Sequence, residues 1–281
     1  MNNPIMDLSS LLEQFEQSVE PLRFIRISKT LPETTFESSQ LKLSFAYTRL
    51  IRWAYFIKLH DDHLFAIPTV QKDKLREPLK LLKHLTTLGR KTSEYECGDQ
   101  TPRFFAPGEM GKTPRLIYQR LLPNRNRRIV FPRGETGMYE KWSVGSKSEL
   151  DELHRKIAIL TDRLEKVVLV AVGELGDYAE DAKGRAEMLE ASRKGLRKLA
   201  EEDLKRVLVV PREAWGREGI DETRIWVANI VRDEAEGVDP YLYHEAKEFL
   251  RRVKEGGDGF AVMVNGEVGG GVLQTESDVS D

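Results

Sequence analysis

Chemistry would first be sought at Ala106-Pro-Gly-Glu-Met-Gly-Lys112-Thr113, which satisfies the loose phosphate-loop pattern. In that pattern backbone amides cradle phosphates, the lysine neutralises charge and the hydroxyl holds magnesium. The setting is wrong for that role. No strand-like segment precedes it, Pro107 and Pro114 restrict the loop and the helix start, and no strand ending in a magnesium-binding aspartate follows. A surface turn is expected, with a phosphate-binding enzyme acting through Lys112 and Thr113 as a rival reading. His60-Asp61-Asp62-His63 could bring two imidazoles to one metal, but it ends an apolar helix, where polar residues normally sit, and no further ligand set is evident. His84, His154 and His244 are isolated, with no nucleophile and base motif around them. No catalytic residue, metal or cofactor is therefore expected.

The sharpest charge asymmetry is a run of Lys112, Arg115, Arg120, Arg125, Arg127, Arg128 and Arg133 with no acid between its ends. Only Tyr118 and Phe131 are interleaved, too few for a base-stacking platform, so specific nucleic-acid binding is not expected. The run is read as a solvated loop or as a patch for anionic lipid headgroups or a protein partner. With 44 Lys+Arg against 46 Asp+Glu the formal charge is −2, so any polyanion would have to be met by such a local patch.

The elements that must carry these residues are mostly helical. At 281 residues the chain can build a large core, and its 32% charged residues suit long solvent-facing helices. Leu8, Leu11, Leu12, Phe15, Val19 and Leu22 make one amphipathic helix ended near Pro21. Leu41 to Leu59 is apolar on more than one flank, as a central helix would be, and Trp53 is placed there as a packing residue. Asp73 to Arg90 reads as a third helix. Prolines and glycines break the periodicity between Cys97 and Trp142, the other expected packing tryptophan. Leu150, Leu153, Ile157, Leu160, Leu164 and Val167 then form a seam at spacings of three and four, with Ser148 and Asp151 as the expected cap. Tyr178 to Val207 continues as helix.

A domain boundary is placed after residue 210, giving a helical domain over 1–210 and a tail over 211–281. In the tail, Arg217, Glu218, Gly219 and Asp221 align with Lys254, Glu255, Gly256 and Asp258, which superposes Ile225, Val227 and Val231 on Val262, Val264 and Val268. Both copies are expected to be alternating strands. Between them Asp239 and Pro240 are placed as N-cap and first residue of a short helix carrying Leu242, Ala246, Phe249 and Val253. The single Cys97 excludes an internal disulfide and favours a reducing compartment. The longest apolar run, Val167 to Val172, is far short of the roughly 20 residues of a membrane-spanning helix. Neither a signal peptide within residues 1–26 nor a transmembrane span is expected, and a cytoplasmic protein is.

Three stretches of sequence go further. Gln40-Leu-Lys-Leu-Ser-Phe-Ala-Tyr-Thr-Arg-Leu-Ile-Arg-Trp53, Thr92-Ser-Glu-Tyr-Glu96, and Trp142-Ser-Val-Gly-Ser-Lys-Ser-Glu-Leu150 with its heptad helix together resemble the HeLo domain of fungal prion-inhibition and propagation proteins, the HET-s/HET-S-like family, over most of residues 8 to 210. The resemblance implies an all-α multi-helix bundle without cofactors that serves heterokaryon incompatibility, a programmed death reaction. In the family the bundle is a membrane-disrupting effector. It implies a trigger as well: two C-terminal repeats fold as a β-solenoid on an amyloid template and force the bundle to release an N-terminal membrane-seeking segment. Residues 217 to 231 and 254 to 268 stand where those repeats would stand, with Ile225, Val227, Val231, Val262, Val264 and Val268 as the amyloid core. The partners implied are a templating protein or a second copy, and an anionic membrane to which the chain is recruited on activation. The N-terminus departs from the family, opening on an acidic amphipathic helix instead of a glycine- and alanine-rich apolar segment. The alternative is a soluble helical adaptor with an inert tail.

Overall fold

The computed structural model describes residues 8–19, 22, 26–56, 59, 77, 80–84, 105–121, 143–144, 146–174, 182–209 and 220–255. Helices dominate them: α1 (Leu8–Val19), α2 (Glu33–Phe56), α3 (Lys112–Leu121), α4 (Lys147–Glu174), α5 (Ala182–Leu208), α6 (Ile220–Ala235) and α7 (Pro240–Lys254). The strands among the described residues are two short ones, β1 (Arg26–Ile27) and β2 (Ser143–Val144), paired in parallel as Arg26 with Ser143 and Ile27 with Val144.

Burial follows the spacing of the apolar residues. In α2 Leu41, Leu43, Phe45, Ala46, Leu50, Ile51, Trp53 and Ala54 are buried and point in every direction, which only a helix surrounded by others can satisfy. Its neighbours are α3, α4, α5 and α6. The seam of α4 is buried as expected at Leu150, Leu153, Ile157 and Leu164. Its cap lies two residues earlier than expected: Ser146 Oγ accepts from the Glu149 amide at 3.3 Å while Glu149 accepts from the Ser146 amide at 3.1 Å, a reciprocal capping box. The α1 helix is seated by Phe15 and Val19, both buried, with the Phe15 ring 5.7 Å from that of Trp53. Helix α5 meets α2 so closely that a Cβ on Gly195 would lie 2.7 Å from the Phe56 ring.

The expected strand over Arg224–Val231 is instead part of α6, and the expected boundary after residue 210 does not divide two cores. Val227, Ala228, Val231 and Ala235 recur at helical spacing and join the same buried cluster as α2, α4 and α5. A short run of β-branched residues fits either period, and the apolar surface offered by α2 and α5 selects the helix. The chain then turns at Gly237, whose φ of +73 is a left-handed conformation that suits glycine. As expected, Asp239 caps α7, accepting from the Leu242 amide at 3.1 Å with Pro240 at the first turn, and Leu242, Ala246 and Phe249 are buried.

Candidate functional site

An apolar central helix should carry no charge, yet α2 places Arg49 and Arg52 one turn apart and buries both. A buried guanidinium must be paired on most of its donors, and here the partners come from three separate places in the fold. Arg49 grips Glu165 of α4 with two bonds, Nε at 2.9 Å and Nη2 at 2.6 Å. It also donates to Asp162 at 2.5 Å and to the Val238 carbonyl, in the turn before α7, at 2.9 Å. Arg52, with 0% exposure, donates from Nε to Asp203 of α5 at 3.1 Å and from its two terminal nitrogens to both oxygens of Asp239 at 3.1 and 2.9 Å. Asp239 thus caps α7 and binds α2 with one carboxylate.

The electrostatics match this geometry. Burial alone would lower the basicity of Arg52, and the Asp239 and Asp203 carboxylates more than reverse that, so it stays charged. Three buried carboxylates, Glu165, Asp203 and Asp239, face two buried cations. Burial pushes the Glu165 carboxyl up against the pull of Arg49, and burial followed by the Glu165 charge pushes Tyr241 up to about 12. The cluster has its buried carboxylates all bonded to the two guanidinium groups. What it can do is fasten: it ties the α6–α7 pair to α2, α4 and α5 through charges that only that arrangement satisfies.

The chain matches the HeLo family model, described as prion-inhibition and propagation, over residues 7–199. It belongs to the HeLo family. Among solved structures, the HET-s N-terminal domain superposes with a TM-score of 0.62 at 18% identity, covering 87% of this chain and 98% of that one. A mutant of the same domain gives 0.60 at 19% identity, covering 85% and 97%. At these identities the likeness establishes the HeLo fold. A share of 87% of 281 residues is more than the first 210 could supply, so the common fold runs into the α6–α7 pair, beyond the HeLo family match. No curated protein matches the chain in sequence.

The residues singled out from the HeLo sequence are scattered by the fold. Trp53 is buried in the core, whereas Trp142 lies outside the described residues. Of the basic run, Lys112 is exposed, Arg115 braces the Met110 carbonyl from Nε at 3.0 Å, and Arg120 donates to the Arg206 carbonyl at the end of α5 at 3.1 Å. Arg125, Arg127, Arg128 and Arg133 are outside the described residues, as are His60 to His63 and Val262, Val264 and Val268. Ile225, Val227 and Val231 sit on α6 as described.

Amides in the phosphate-loop segment serve the fold. Gly111 donates its N–H to Glu37, and Ala106 donates to Glu109 at 2.7 Å. Carboxylates on those amides repel the anion a phosphate loop would hold. Lys29 and the Ala106 amide keep the Glu109 carboxyl below the usual range. Among the described residues no group of three or more His, Cys, Asp and Glu is placed to hold a metal, and no helix is long and apolar enough to cross a membrane.

The buried pairs were missed from sequence because their partners are more than a hundred residues away. The one available signal was two arginines in an otherwise apolar helix. A second buried polar group was also missed. His154 of α4 is 8% exposed, bonded to the Ser39 backbone, with Nε2 unpartnered among the described residues. Burial, with Lys42 adding repulsion against the pull of Asp151, lowers its pKa from 6.5 to about 4. Between those values the unfolded chain holds a proton here that the folded chain lacks, so stability falls as pH drops through that window. The expected loss from this group is up to about 3 kcal/mol. Urea titrations from pH 7 to 4 check it: His154→Gln should flatten the decline, and an unchanged profile would remove His154 as its source.

Proposed function

We propose that this HeLo protein acts without catalysis in fungal heterokaryon incompatibility, as a cell-death effector that permeabilises membranes when its bundle opens. The family match carries the reading, and the placement of α1 gives it a physical form. Phe15 and Val19 of an amphipathic helix are buried in the bundle, so opening the bundle presents an apolar stripe to a membrane. The bundle described here is the resting, cytosolic form.

The tail is its regulator. The Ile225, Val227 and Val231 copy of the repeat lies in α6, so pairing it with the Val262, Val264 and Val268 copy in cross-β stacks requires α6 to leave the core. Templating by an amyloid partner and opening of the bundle are then one event. Dye release from anionic liposomes tests this: intact protein seeded with preformed fibres of residues 212–281 should cause leakage, and unseeded protein should not. Leakage without seeds, or none with seeds that recruit the protein, would reject the trigger.

A soluble adaptor is the second reading, and one observation favours it: Trp226 on α6 is 54% exposed, a large apolar side chain of the kind that anchors protein partners. Leakage that is absent under every condition would favour that reading.

A further inference from the structure

Helix α5 turns four cations to solvent within six residues. Arg193, Lys194, Arg197 and Lys198 are all exposed, and their spacing puts them on one side of the helix. Of the nearby acids, Glu201 pairs with Lys205 at 3.0 Å, Glu190 is 3.9 Å from Arg193, and Glu245 of α7 is within electrostatic reach of Arg197 without an ion pair to it. Lys194, Arg197 and Lys198 make no ion pair among the described residues, nor do Arg252 and Lys254 on the adjoining α7. Exposed positive charge this dense, with so few direct ion pairs, attracts a polyanion.

The chain supplies one. Residues 256–281 contain Asp258, Glu267, Glu276, Asp278 and Asp281 and no Lys, Arg or His. Their starting point is the end of α7, which runs beside α5. Arg193 is within electrostatic reach of Tyr241, and Arg197 of Glu245, so both helices advance together and run the same way. From Glu245 to Glu255 the helix rises about 15 Å. A segment returning along α7 recovers that distance in about five extended residues. Glu267, Glu276 and Asp278 can therefore all reach the α5 cations.

We propose that residues 256–281 dock across the exposed cationic face of α5, with Glu267, Glu276 and Asp278 neutralising Lys194, Arg197 and Lys198. The contact is a self-masking one. It keeps the basic face from other polyanions while the bundle is closed, and a tail drawn into another structure uncovers that face. It requires no membrane activity of the bundle, so its success or failure is separate from that of the cell-death reading.

Paramagnetic relaxation in the full chain tests it, with a spin label on Ser277→Cys in a Cys97→Ser background. The amide signals of residues 193–198 should broaden far more than those of Glu222 and Trp226 on α6. The broadening should vanish in Glu267→Gln/Glu276→Gln/Asp278→Asn, in Lys194→Glu/Arg197→Glu/Lys198→Glu, and in 1 M salt, where screening acts over about 3 Å. Equal broadening on α5 and α6, or broadening that survives neutralisation of the tail, would overturn the proposal. A signal seen only between spin-labelled and isotope-labelled copies would also overturn it, by assigning the face to a second copy.

Discussion

Arg52→Ala destabilises the protein by about 3–5 kcal/mol, the loss expected when one partner of a buried ion pair is removed and the other charges stay buried. Asp203 and Asp239 are both fully buried, and Asp239 would keep only its bond to the Leu242 amide among those made by its side chain. Urea unfolding followed by circular dichroism measures the loss. The cause is separable from lost packing: Arg52→Met with Asp203→Asn and Asp239→Asn removes the cation and its two carboxylates together, and Asn still caps α7. That triple variant should recover most of the stability. A loss below about 1 kcal/mol for Arg52→Ala would mean that water reaches the carboxylates and that the cluster does not fasten the α6–α7 pair.

The second large effect is at Trp53. Truncation to alanine should cost about 3–5 kcal/mol, because the ring is buried in the helix that α3, α4, α5 and α6 pack against and the cavity left behind can only partly collapse. The Trp53 Nε1 has no hydrogen-bond partner among the described residues, so Trp53→Phe forfeits volume but no bond and should lose considerably less. Thermal melts of both variants make the comparison, and equal losses would show that the indole N–H is bonded in solution. The Phe15 ring rests against Trp53, so the two truncations should couple in a double-mutant cycle by about 1 kcal/mol. That coupling ties the seating of α1, the segment proposed to meet the membrane, to the integrity of α2.

These two sites differ in how far they could be read from the chain. Trp53 is buried in α2, and its setting is local: a helix apolar on several flanks has nowhere to go but the centre of a bundle. Arg49 and Arg52 were visible as residues, but their meaning was not, since Glu165 is brought to Arg49, and Asp203 and Asp239 to Arg52, across spans that no periodicity records. The basic run shows the converse. It was the sharpest charge feature of the sequence, yet Arg115 and Arg120 spend donors on backbone carbonyls, while the exposed cations of α5 stand among glutamates that mask them in the sequence.

What the sequence determined by itself was whatever repeats at short range: the seam of α4, the amphipathic α1, the Asp239-Pro240 start of α7 and the words that carry the family resemblance. Its local signals also erred where two periods coincide. Ile225, Val227 and Val231 suit a strand, and Val227, Ala228, Val231 and Ala235 suit a helix equally well. Tertiary structure decided between them, because the free energy of burying those side chains against α2 and α5 exceeds the small difference in backbone preference. It alone decided the charge cluster too, since a buried guanidinium is tolerable only where folding has already delivered its carboxylates.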